Sequence, residues 1–172
     1  MEWAEAPVLS EIEPLLGVRE ARSAEFNRSR SELLETKSNR HFFADELRQT
    51  SGAVAHLNSV RLYGELAGMK ANLYKNLIVR AWGILADSGI AGLLHPEGVY
   101  DDASGERFRA AIYPRLKAHY GHKNEMQLFA DVDHHTGYSI NIYGGKAIAV
   151  GFRHMSNLYN PQTIAASLAH DK

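Results

Sequence analysis

Imidazole and carboxylate side chains gather in one short stretch of the sequence, where His134 and His135 follow Asp131 and Asp133. Such donors together suit zinc, iron or manganese. Adjacent residues on a strand point to opposite faces, however, and no His-Glu-x-x-His spacing is present. Turns favour short polar residues of this kind. We therefore interpret the stretch as a polar hairpin turn and predict no metal site.

A second set of carboxylates has the order found in nuclease centres. The pair Asp101-Asp102 precedes Glu125-x-Gln127. Many restriction nucleases carry an acidic residue and then an acidic-x-Lys pattern, whose carboxylates hold a metal ion that activates water. Gln127 stands in the position of the lysine, so a metal-dependent nuclease is the less favoured alternative. The sequence also contains no G-x-S-x-G nucleophile elbow and no phosphate-binding P-loop.

The elements that must position these residues follow an α/β pattern. A helix capped by Asn72 comes first, and its apolar face consists of Leu73, Leu77, Ala81, Ile84 and Leu85. A short buried strand over 90–94 then ends at His95-Pro96, and such a helix–turn–strand unit implies a parallel sheet. A second helix is predicted over 105–119, where Pro114 kinks it or limits its regularity.

The following part of the sequence predicts strands. Residues 124–131 and 138–143 flank a polar turn, and Ile140 and Ile142 alternate with polar residues, which predicts a hairpin with one apolar face. A further short strand is predicted over 147–152. These elements place the chain in the α/β class.

The rest of the chain predicts helices and a tail. Residues 8–50 have a mostly polar helical composition with an intermittent apolar face, which is typical of an arm that packs on something else. We divide the chain into a helical arm over 1–70, an α/β sheet over 71–155 and a C-terminal tail over 156–172.

Composition excludes several classes of protein. The chain of 172 residues has no cysteine, so disulfides, thiolate zinc sites and a cysteine nucleophile are excluded. No apolar run approaches the roughly 18 residues that a membrane span needs, and the acidic N-terminus lacks the pattern of a signal peptide. These features lead us to expect a cytoplasmic bacterial protein.

Charge is distributed unevenly, although the net charge is only −1. Residues 1–36 hold eight Glu against four Arg, whereas residues 104–123 hold five basic residues against Glu106 alone. Binding to DNA phosphates needs such a local concentration of Lys and Arg. A solvated helix face is the alternative interpretation. The residues predicted to contact a DNA backbone are Arg107, Arg109 and Arg115.

Four short motifs occur in an informative order. Asn72-Leu73-Tyr74 opens a helix, Leu94-His95-Pro96-Glu97-Gly98 ends a strand, Asp101-Asp102 and Phe108 precede and open the next helix, and Phe129 precedes the return strand 138–143. In this order the chain resembles the C-terminal half of the catalytic domain of adenine-specific (N6) DNA methyltransferases of the gamma amino-methyltransferase class, as in large restriction-modification methylases. The resemblance covers roughly residues 70–155.

The resemblance implies a fold and a set of roles. The fold would be a partial methyltransferase, Rossmann-like sheet with a helical N-terminal arm and a closing antiparallel β-hairpin. Asn72, Leu73 and Tyr74 would lie near the cofactor S-adenosylmethionine. The target base would face Pro96, Glu97, Gly98, Asp101 and Asp102, at the carboxyl end of a strand where open α/β sheets bind ligands. The structural alternatives are a helix cap at Asn72, a packing role for Tyr74 and a plain turn at 96–98.

The chain also departs from that family. It has no counterpart of the cofactor glycine loop or of the catalytic Asn/Asp-Pro-Pro-aromatic tetrapeptide, and Asn160-Pro161-Gln162 lacks the second proline and the aromatic residue. We therefore name no catalytic residue and expect a fragment or subunit that is inactive alone, beginning just downstream of that motif. Cofactor and DNA would bind through the complete enzyme, formed with a complementary methyltransferase half or as a homodimer. The alternative is a binding or assembly module without chemistry.

Overall fold

The computed structural model describes residues 3–18 and 23–170, which fall into two compact units, Met1–Leu57 and Asn58–Lys172. The described part of the first unit consists of helices α1 (Glu5–Ile12), α2 (Leu15–Val18), α3 (Ser23–Leu33) and α4 (Lys37–Leu57). The helical character predicted for the N-terminal arm is therefore confirmed. The division of the chain at residues 70 and 155 stays a prediction.

Few apolar side chains are buried in the first unit, as its polar composition predicts. Val8, Leu9 and Leu57 are buried among its described residues. An ion pair between Arg30 and Glu5, 2.6 Å long, joins α3 to α1. Both partners are about a third exposed, so this pair contributes at most about 1 kcal/mol to stability.

The second unit contains all the strands among the described residues. Its elements are α5 (Leu73–Ile84), β1 (Ala91–Pro96), α6 (Gly98–Asp101), α7 (Glu106–Ile112), β2 (Leu116–Lys123), β3 (Gly137–Tyr143), β4 (Arg153–Leu158) and α8 (Gln162–Ala169). Short 3₁₀ turns at Gly64–Leu66, Tyr113–Arg115 and Asn124–Met126 connect some of them. Among the described residues, no helix is long and apolar enough to span a membrane.

The four strands form one mixed sheet in the order β1-β3-β2-β4. β3 is antiparallel to both β1 and β2, whereas β4 is parallel to β2. The α/β class is therefore confirmed, and β3 supplies the closing antiparallel hairpin. Only one of the three pairings is of the parallel kind that the helix–strand succession predicted.

The hydrophobic core lies between one face of this sheet and helices α5 to α7. Its centre consists of Ile78, Val99, Phe108, Ile112, Leu116 and Tyr143, all at most 2% exposed. Trp82 packs against the rings of Phe108 and Tyr143 with centroids 5.7 Å apart in both cases. Burial of three aromatic side chains here supplies much of the hydrophobic stabilisation of the unit.

The side of helix α5 that is buried in the core differs from the side that we predicted. Leu73, Leu77 and Ile84 are 53%, 57% and 76% exposed, whereas Ile78 is buried. The aromatic residues Tyr74 and Trp82 share the inward side with Ile78 and offer the larger area to bury. The leucine-rich face therefore lies outward, because helix orientation follows buried area rather than a count of apolar residues.

Three predicted elements in the middle of the chain are wrong in their bounds. The helix predicted over 105–119 ends at Ile112, since Pro114 begins a 3₁₀ turn and residues from Leu116 onward form β2. The strand predicted over 124–131 is a 3₁₀ turn and a loop. The strand predicted over 147–152 is also a loop, and the true strand, β4, begins at Arg153. The predicted strand 138–143 is confirmed, and the C-terminal tail contains the short helix α8.

Candidate functional site

Polar side chains from adjacent strands meet in register on the core-facing side of the sheet. Leu93 of β1 pairs with Asn141 of β3, which pairs with His119 of β2, which pairs with His154 of β4. We call Asn141, His119 and His154 the polar row. Core-facing positions of a strand are normally apolar, because a buried polar group costs free energy unless it is hydrogen-bonded. Asn141 is fully buried and His119 is 6% exposed, so this row is a candidate site.

An irregularity in β2 brings His119 to this face. Leu116 pairs with Tyr143 and His119 with Asn141, so three residues of β2 match two of β3. This is the geometry of a β-bulge, in which one extra residue is accommodated in one strand. As a result Leu116 and His119 both face the core, although strict alternation would put them on opposite sides. Leu116 completes the apolar core and His119 begins the polar part.

Glu97, at the end of β1, connects to the polar row through His119. The Nε2 of His119 lies 3.0 Å from Oε1 of Glu97, and its Nδ1 lies 3.0 Å from Nδ1 of His154. Burial would raise the pKa of Glu97, but hydrogen bonds from His119 and Ser139 outweigh it and hold that pKa below its usual range. Glu97 is therefore a carboxylate near neutral pH and accepts from both partners.

The direction of these hydrogen bonds follows from the carboxylate. The carboxylate of Glu97 only accepts, so Nε2–H of His119 donates to it. The Nδ1 atoms of His119 and His154 share a second hydrogen bond of 3.0 Å. His154 is exposed, so its ring is available to a ligand.

A second chain of hydrogen bonds ends at the same carboxylate. The hydroxyl of Tyr100 donates to Oδ1 of Asn141 over 2.6 Å, and Nδ2 of Asn141 donates to Oγ of Ser139 over 2.7 Å. Ser139 in turn donates to Glu97. Ser139 and Asn141 are both fully buried. The satisfied network therefore fixes Glu97 in one orientation.

His95 and Tyr143 close the network on the β1 side. The Nδ1–H of His95 donates to the carbonyl of Pro96 over 2.9 Å, and the hydroxyl of Tyr143 donates to its Nε2 over 2.9 Å. Burial lowers the pKa of His95, despite that bond to Pro96, and keeps the ring neutral. Burial also raises the pKa of the Tyr100 and Tyr143 hydroxyls, so both phenols stay protonated. Glu97 is thus an anion beside the uncharged His95, Tyr100 and Tyr143 side chains.

Two glycines make room for the Glu97 side chain. A Cβ at Gly137 would lie 3.2 Å from Cγ of Glu97, and one at Gly121 would lie 3.3 Å from Cε1 of His119. Both distances are shorter than ordinary van der Waals contact. The backbone N–H of Glu97 also donates to the carbonyl of Gly137 over 3.1 Å. The start of β3 therefore holds both the backbone and the side chain of Glu97.

These groups open into a cleft of about 230 Å³. Its walls are Glu97, Tyr100, Tyr113, Leu116, His119, Phe152 and His154. The rings of Tyr113 and Phe152 are parallel within 5°, with centroids 6.3 Å apart. This volume is below the roughly 300–1,000 Å³ of pockets for drug-sized ligands, so it suits a small flat group. The cleft thus offers aromatic walls, the acceptor oxygens of the Glu97 carboxylate and the imidazole of His154.

The structure brings only Glu97, among the five residues predicted to face a base, into this cleft. Pro96 lines a separate apolar groove with Phe129 and Tyr138, and Gly98 and Asp101 are exposed. The carboxylate of Asp102 accepts from Nζ of the buried Lys75 over 2.8 Å. This ion pair is the main reason that the pKa of Asp102 is lowered.

The three residues predicted to lie near a cofactor are at the start of α5. Asn72 caps the helix with its backbone carbonyl and makes no side-chain cap, and both Asn72 and Leu73 are exposed. Tyr74 is half-buried and stacks on His95, with ring centroids 6.0 Å apart. These three side chains offer one amide and one phenol. That donor set does not fit the charged amino acid and ribose of S-adenosylmethionine without further residues.

Two of the three predicted DNA-backbone arginines have intramolecular partners. Nη1 of Arg109 donates to the carbonyl of Asp102, and Nη1 of Arg115 donates to the carbonyl of Ala111. The Arg115 guanidinium also lies 4.9 Å from the centre of the Trp82 ring, a cation–π contact. Arg107 is exposed on α7. A role for the three in binding DNA stays a prediction.

Sequence reasoning missed most of the cleft. The residues it did not select are Tyr100, Tyr113, His119, Ser139, Asn141, Phe152 and His154. Ser139 and Asn141 alternate with two isoleucines, which suggested that the polar side faces solvent, whereas the structure buries it completely. The sequence carries no local signal for this site, because only the pairing of β2 with β4 brings His119 to His154.

Comparisons with known proteins do not assign the chain to a family. No protein-family model matches the chain, and no curated protein matches it. Among solved structures, the chain is similar to the ATP-dependent Type ISP restriction-modification enzyme LlaBIII bound to DNA, at 12% identity and a TM-score of 0.41. The match covers 72% of this chain and 9% of the enzyme's chain. A likeness this distant defines neither an activity nor a partner.

Proposed function

We propose that the cleft binds an unstacked nucleobase that carries an amino group. On this proposal the chain contributes the base-binding side of an N6-adenine DNA methyltransferase of the restriction-modification type. The observation that carries the proposal is the Glu97 carboxylate inside a cleft with aromatic walls, with the imidazole of His154 beside it. A carboxylate only accepts hydrogen bonds, so it selects ligands that donate them.

The chemistry of the cleft favours a base over other small ligands. Aromatic side chains stack on the faces of bases, which is worth roughly 1–3 kcal/mol per base. The exocyclic amino group of adenine supplies two donors for the acceptors. A base reaches such a pocket only when it has left the duplex, and enzymes that modify bases extrude them for this reason. The substrate class is therefore DNA with a flipped or unpaired adenine.

The resemblance of the sequence supports the same role. It implies that the loop after a strand ending in proline faces the target base, and Glu97 lies in that loop at the edge of the cleft. It also implies a closing hairpin, which β3 supplies. Because Asn72, Leu73 and Tyr74 do not by themselves fit the whole cofactor, we expect S-adenosylmethionine to be held mainly by residues of a complementary polypeptide. That cofactor would supply the methyl group, and this chain would orient the base.

A binding assay with matched DNA duplexes tests the proposal. One duplex carries adenine opposite an abasic site, and the other carries purine, which lacks the amino group. We expect adenine to bind about tenfold or more tightly by fluorescence anisotropy, because purine leaves the Glu97 carboxylate unpaired. Glu97→Gln should abolish this preference, and Glu106→Gln, which changes an exposed carboxylate outside the cleft, should retain it. Equal affinity of wild-type protein for the two duplexes would contradict the proposal.

A second candidate is an assembly role, favoured by the outward face of α5. Leu73, Leu77 and Ile84 lie on one side of that helix and are more than half exposed. Apolar patches of this kind commonly mark contacts with another protein. We expect either a homodimer or a complex with the complementary methyltransferase half. Light scattering of concentrated protein would show a dimer that Leu77→Glu dissociates, whereas a monomer at all concentrations would contradict the homodimer.

A further inference from the structure

The loop between β2 and β3, residues 124–136, brings together three side chains that can ligate a metal ion. The ligand atoms of Glu125, His134 and His135 all lie within 4.8 Å of one another. The rings of the two histidines have centroids 3.8 Å apart. The sequence predicted no metal site here because neighbours on a strand diverge. These residues lie in a turn and not on a strand, so both imidazoles can face the same side.

The neck of this loop is held by Asn124, which is 1% exposed. Its backbone N–H donates to the carbonyl of Thr136 over 3.1 Å. Its side-chain Nδ2 donates to the carbonyls of Phe129 and Val132, both over 2.9 Å, and its Oδ1 accepts from the N–H of Phe129. Glu125 follows Asn124 directly, and His135 directly precedes Thr136. The hydrogen bonds of Asn124 therefore place the side chains of Glu125 and His135 opposite each other.

Local hydrogen bonds orient the histidine side of the cluster as well. The backbone N–H of His135 donates to Oδ1 of Asp133 over 2.8 Å. The Nδ1 of His135 lies 3.2 Å from Oε1 of Glu125. The side chains of His135 and Glu125 are 71% and 38% exposed, so they can turn toward an ion with little resistance. The backbone is thus ordered and the side chains are adjustable.

We propose that Glu125, His134 and His135 bind a divalent transition-metal ion, with zinc as the probe. Two imidazoles and one carboxylate form a donor set that zinc prefers, and the remaining position would be filled by water. Ligands of a tetrahedral zinc at about 2.1 Å lie roughly 3.4 Å from one another, close to the 3.2 Å that already separates Nδ1 of His135 from Oε1 of Glu125. Metal binding would link the two ends of the loop next to Gly137. The carbonyl of Gly137 accepts a hydrogen bond from the N–H of Glu97.

Titration calorimetry of tag-free, metal-stripped protein with zinc chloride tests this site. We expect one saturable site, whose affinity falls at least about tenfold in His134→Ala, His135→Ala and Glu125→Gln. Bound zinc should also raise the Tm of wild-type protein and not that of the double variant His134→Ala/His135→Ala. His41→Ala and His170→Ala, which change exposed histidines elsewhere, are the matched controls and should bind as wild type does.

Three outcomes would overturn the proposal. The first is an absence of saturable binding at millimolar zinc. The second is binding that the double variant retains in full. The third is binding lost in His154→Ala and kept in His134→Ala, which would assign the ion to the cleft. Circular dichroism of each variant checks its fold, and because all three ligands are exposed, their replacement leaves the core intact.

Discussion

The second unit contains two groups of histidine and glutamate that differ in burial. In the cleft, the side chains of His119 and Glu97 are 8% and 28% exposed and lie within a hydrogen-bond network. In the loop, His135 and Glu125 are 71% and 38% exposed. The same residue types at the same spacing of about 3 Å therefore serve different chemistry. A buried network selects a ligand by the hydrogen-bond donors that the ligand carries. The side chains of an exposed cluster can instead turn their lone pairs toward a cation.

Burial also decides what each group contributes to folding. A buried polar atom that loses its partner costs roughly 1–3 kcal/mol, whereas an exposed ion pair is worth at most about 1 kcal/mol. The cleft is thus part of what holds the second unit together, and the loop cluster is not. Stability measurements on matched substitutions can separate the two regions.

The largest effect should come from Asn141→Ala. The change removes the acceptor of the Tyr100 hydroxyl and the donor to Ser139, both inside the core. We expect a loss of about 2–4 kcal/mol in the free energy of unfolding. Urea unfolding followed by Trp82 emission in a Trp3→Phe background reports on this unit alone, since the chain has two tryptophans.

Glu125→Gln is the matched substitution in the loop and should change that free energy by less than about 0.5 kcal/mol without metal. If Asn141→Ala cost no more than Glu125→Gln, the distinction between the two regions would be wrong.

Gly137→Ala should have the next largest effect. The added Cβ would crowd Cγ of Glu97 at 3.2 Å and force the carboxylate away from His119. We expect a loss of about 1–2 kcal/mol and weaker binding to the adenine duplex. Gly64→Ala is a control with nothing within 4 Å of the new Cβ. Unchanged stability together with unchanged DNA binding would show that Glu97 does not depend on this space.

Lowering the pH should reduce the free energy of unfolding by protonating Glu97 in the cleft. Its pKa is lower in the folded than in the unfolded chain, so its stabilisation is complete above about pH 4.3, the usual pKa of glutamate. That stabilisation is lost as pH falls from there through the folded pKa. The effect is on the order of 1 kcal/mol for a partly exposed group. Urea unfolding at pH 5 and pH 3 should show a smaller acid loss in Glu97→Gln than in wild type, and Glu125→Gln should behave as wild type.

The smallest effect is a stabilisation outside both regions. Gly83 lies within α5, and a Cβ there would meet nothing within 4 Å. Gly83→Ala should raise the free energy of unfolding by about 0.5–1 kcal/mol, because glycine loses more backbone entropy in a helix. The Trp82 assay would show this as a higher urea midpoint, with adenine binding and zinc binding unaltered. A lower midpoint would mean that this end of α5 is not a regular helix in solution.

Local patterns in the sequence predicted part of this fold. The cap at Asn72, the strand before Pro96 and the alternation over 138–143 each depend on neighbouring residues, and each element formed. The face that each element buries was harder to predict. The buried face depends on the area that each side of an element buries against the rest of the fold, which local patterns do not show. The aromatic side of α5 and the polar side of β3 were therefore wrongly assigned to solvent.

The site was less predictable than the fold for a related reason. Glu97 was selected because the family resemblance implies a base-facing loop after the strand that ends in Pro96. His119 reaches the core side through the bulge at Leu116 and Ala118, and His154 reaches it through a parallel pairing with a strand 35 positions earlier. No local sequence pattern indicates either of these two strand registers. His134 and His135 were selected in the sequence as possible ligands beside Asp131 and Asp133, but the stretch was interpreted as a plain polar turn, and Glu125 joins the two histidines only in the folded loop.

The polar row has a consequence for how this chain can change over evolution. Each of three neighbouring strands contributes one side chain to it, and side chains alternate between the faces of a strand. A codon gained or lost inside β3 or β4 would therefore send Asn141 or His154 to the opposite face. The connections 124–136 and 144–151 carry no member of the row, and doubling a loop costs only about 0.6 kcal/mol. Descendants that keep the cleft should therefore differ in length within these connections, while their strands keep a constant length.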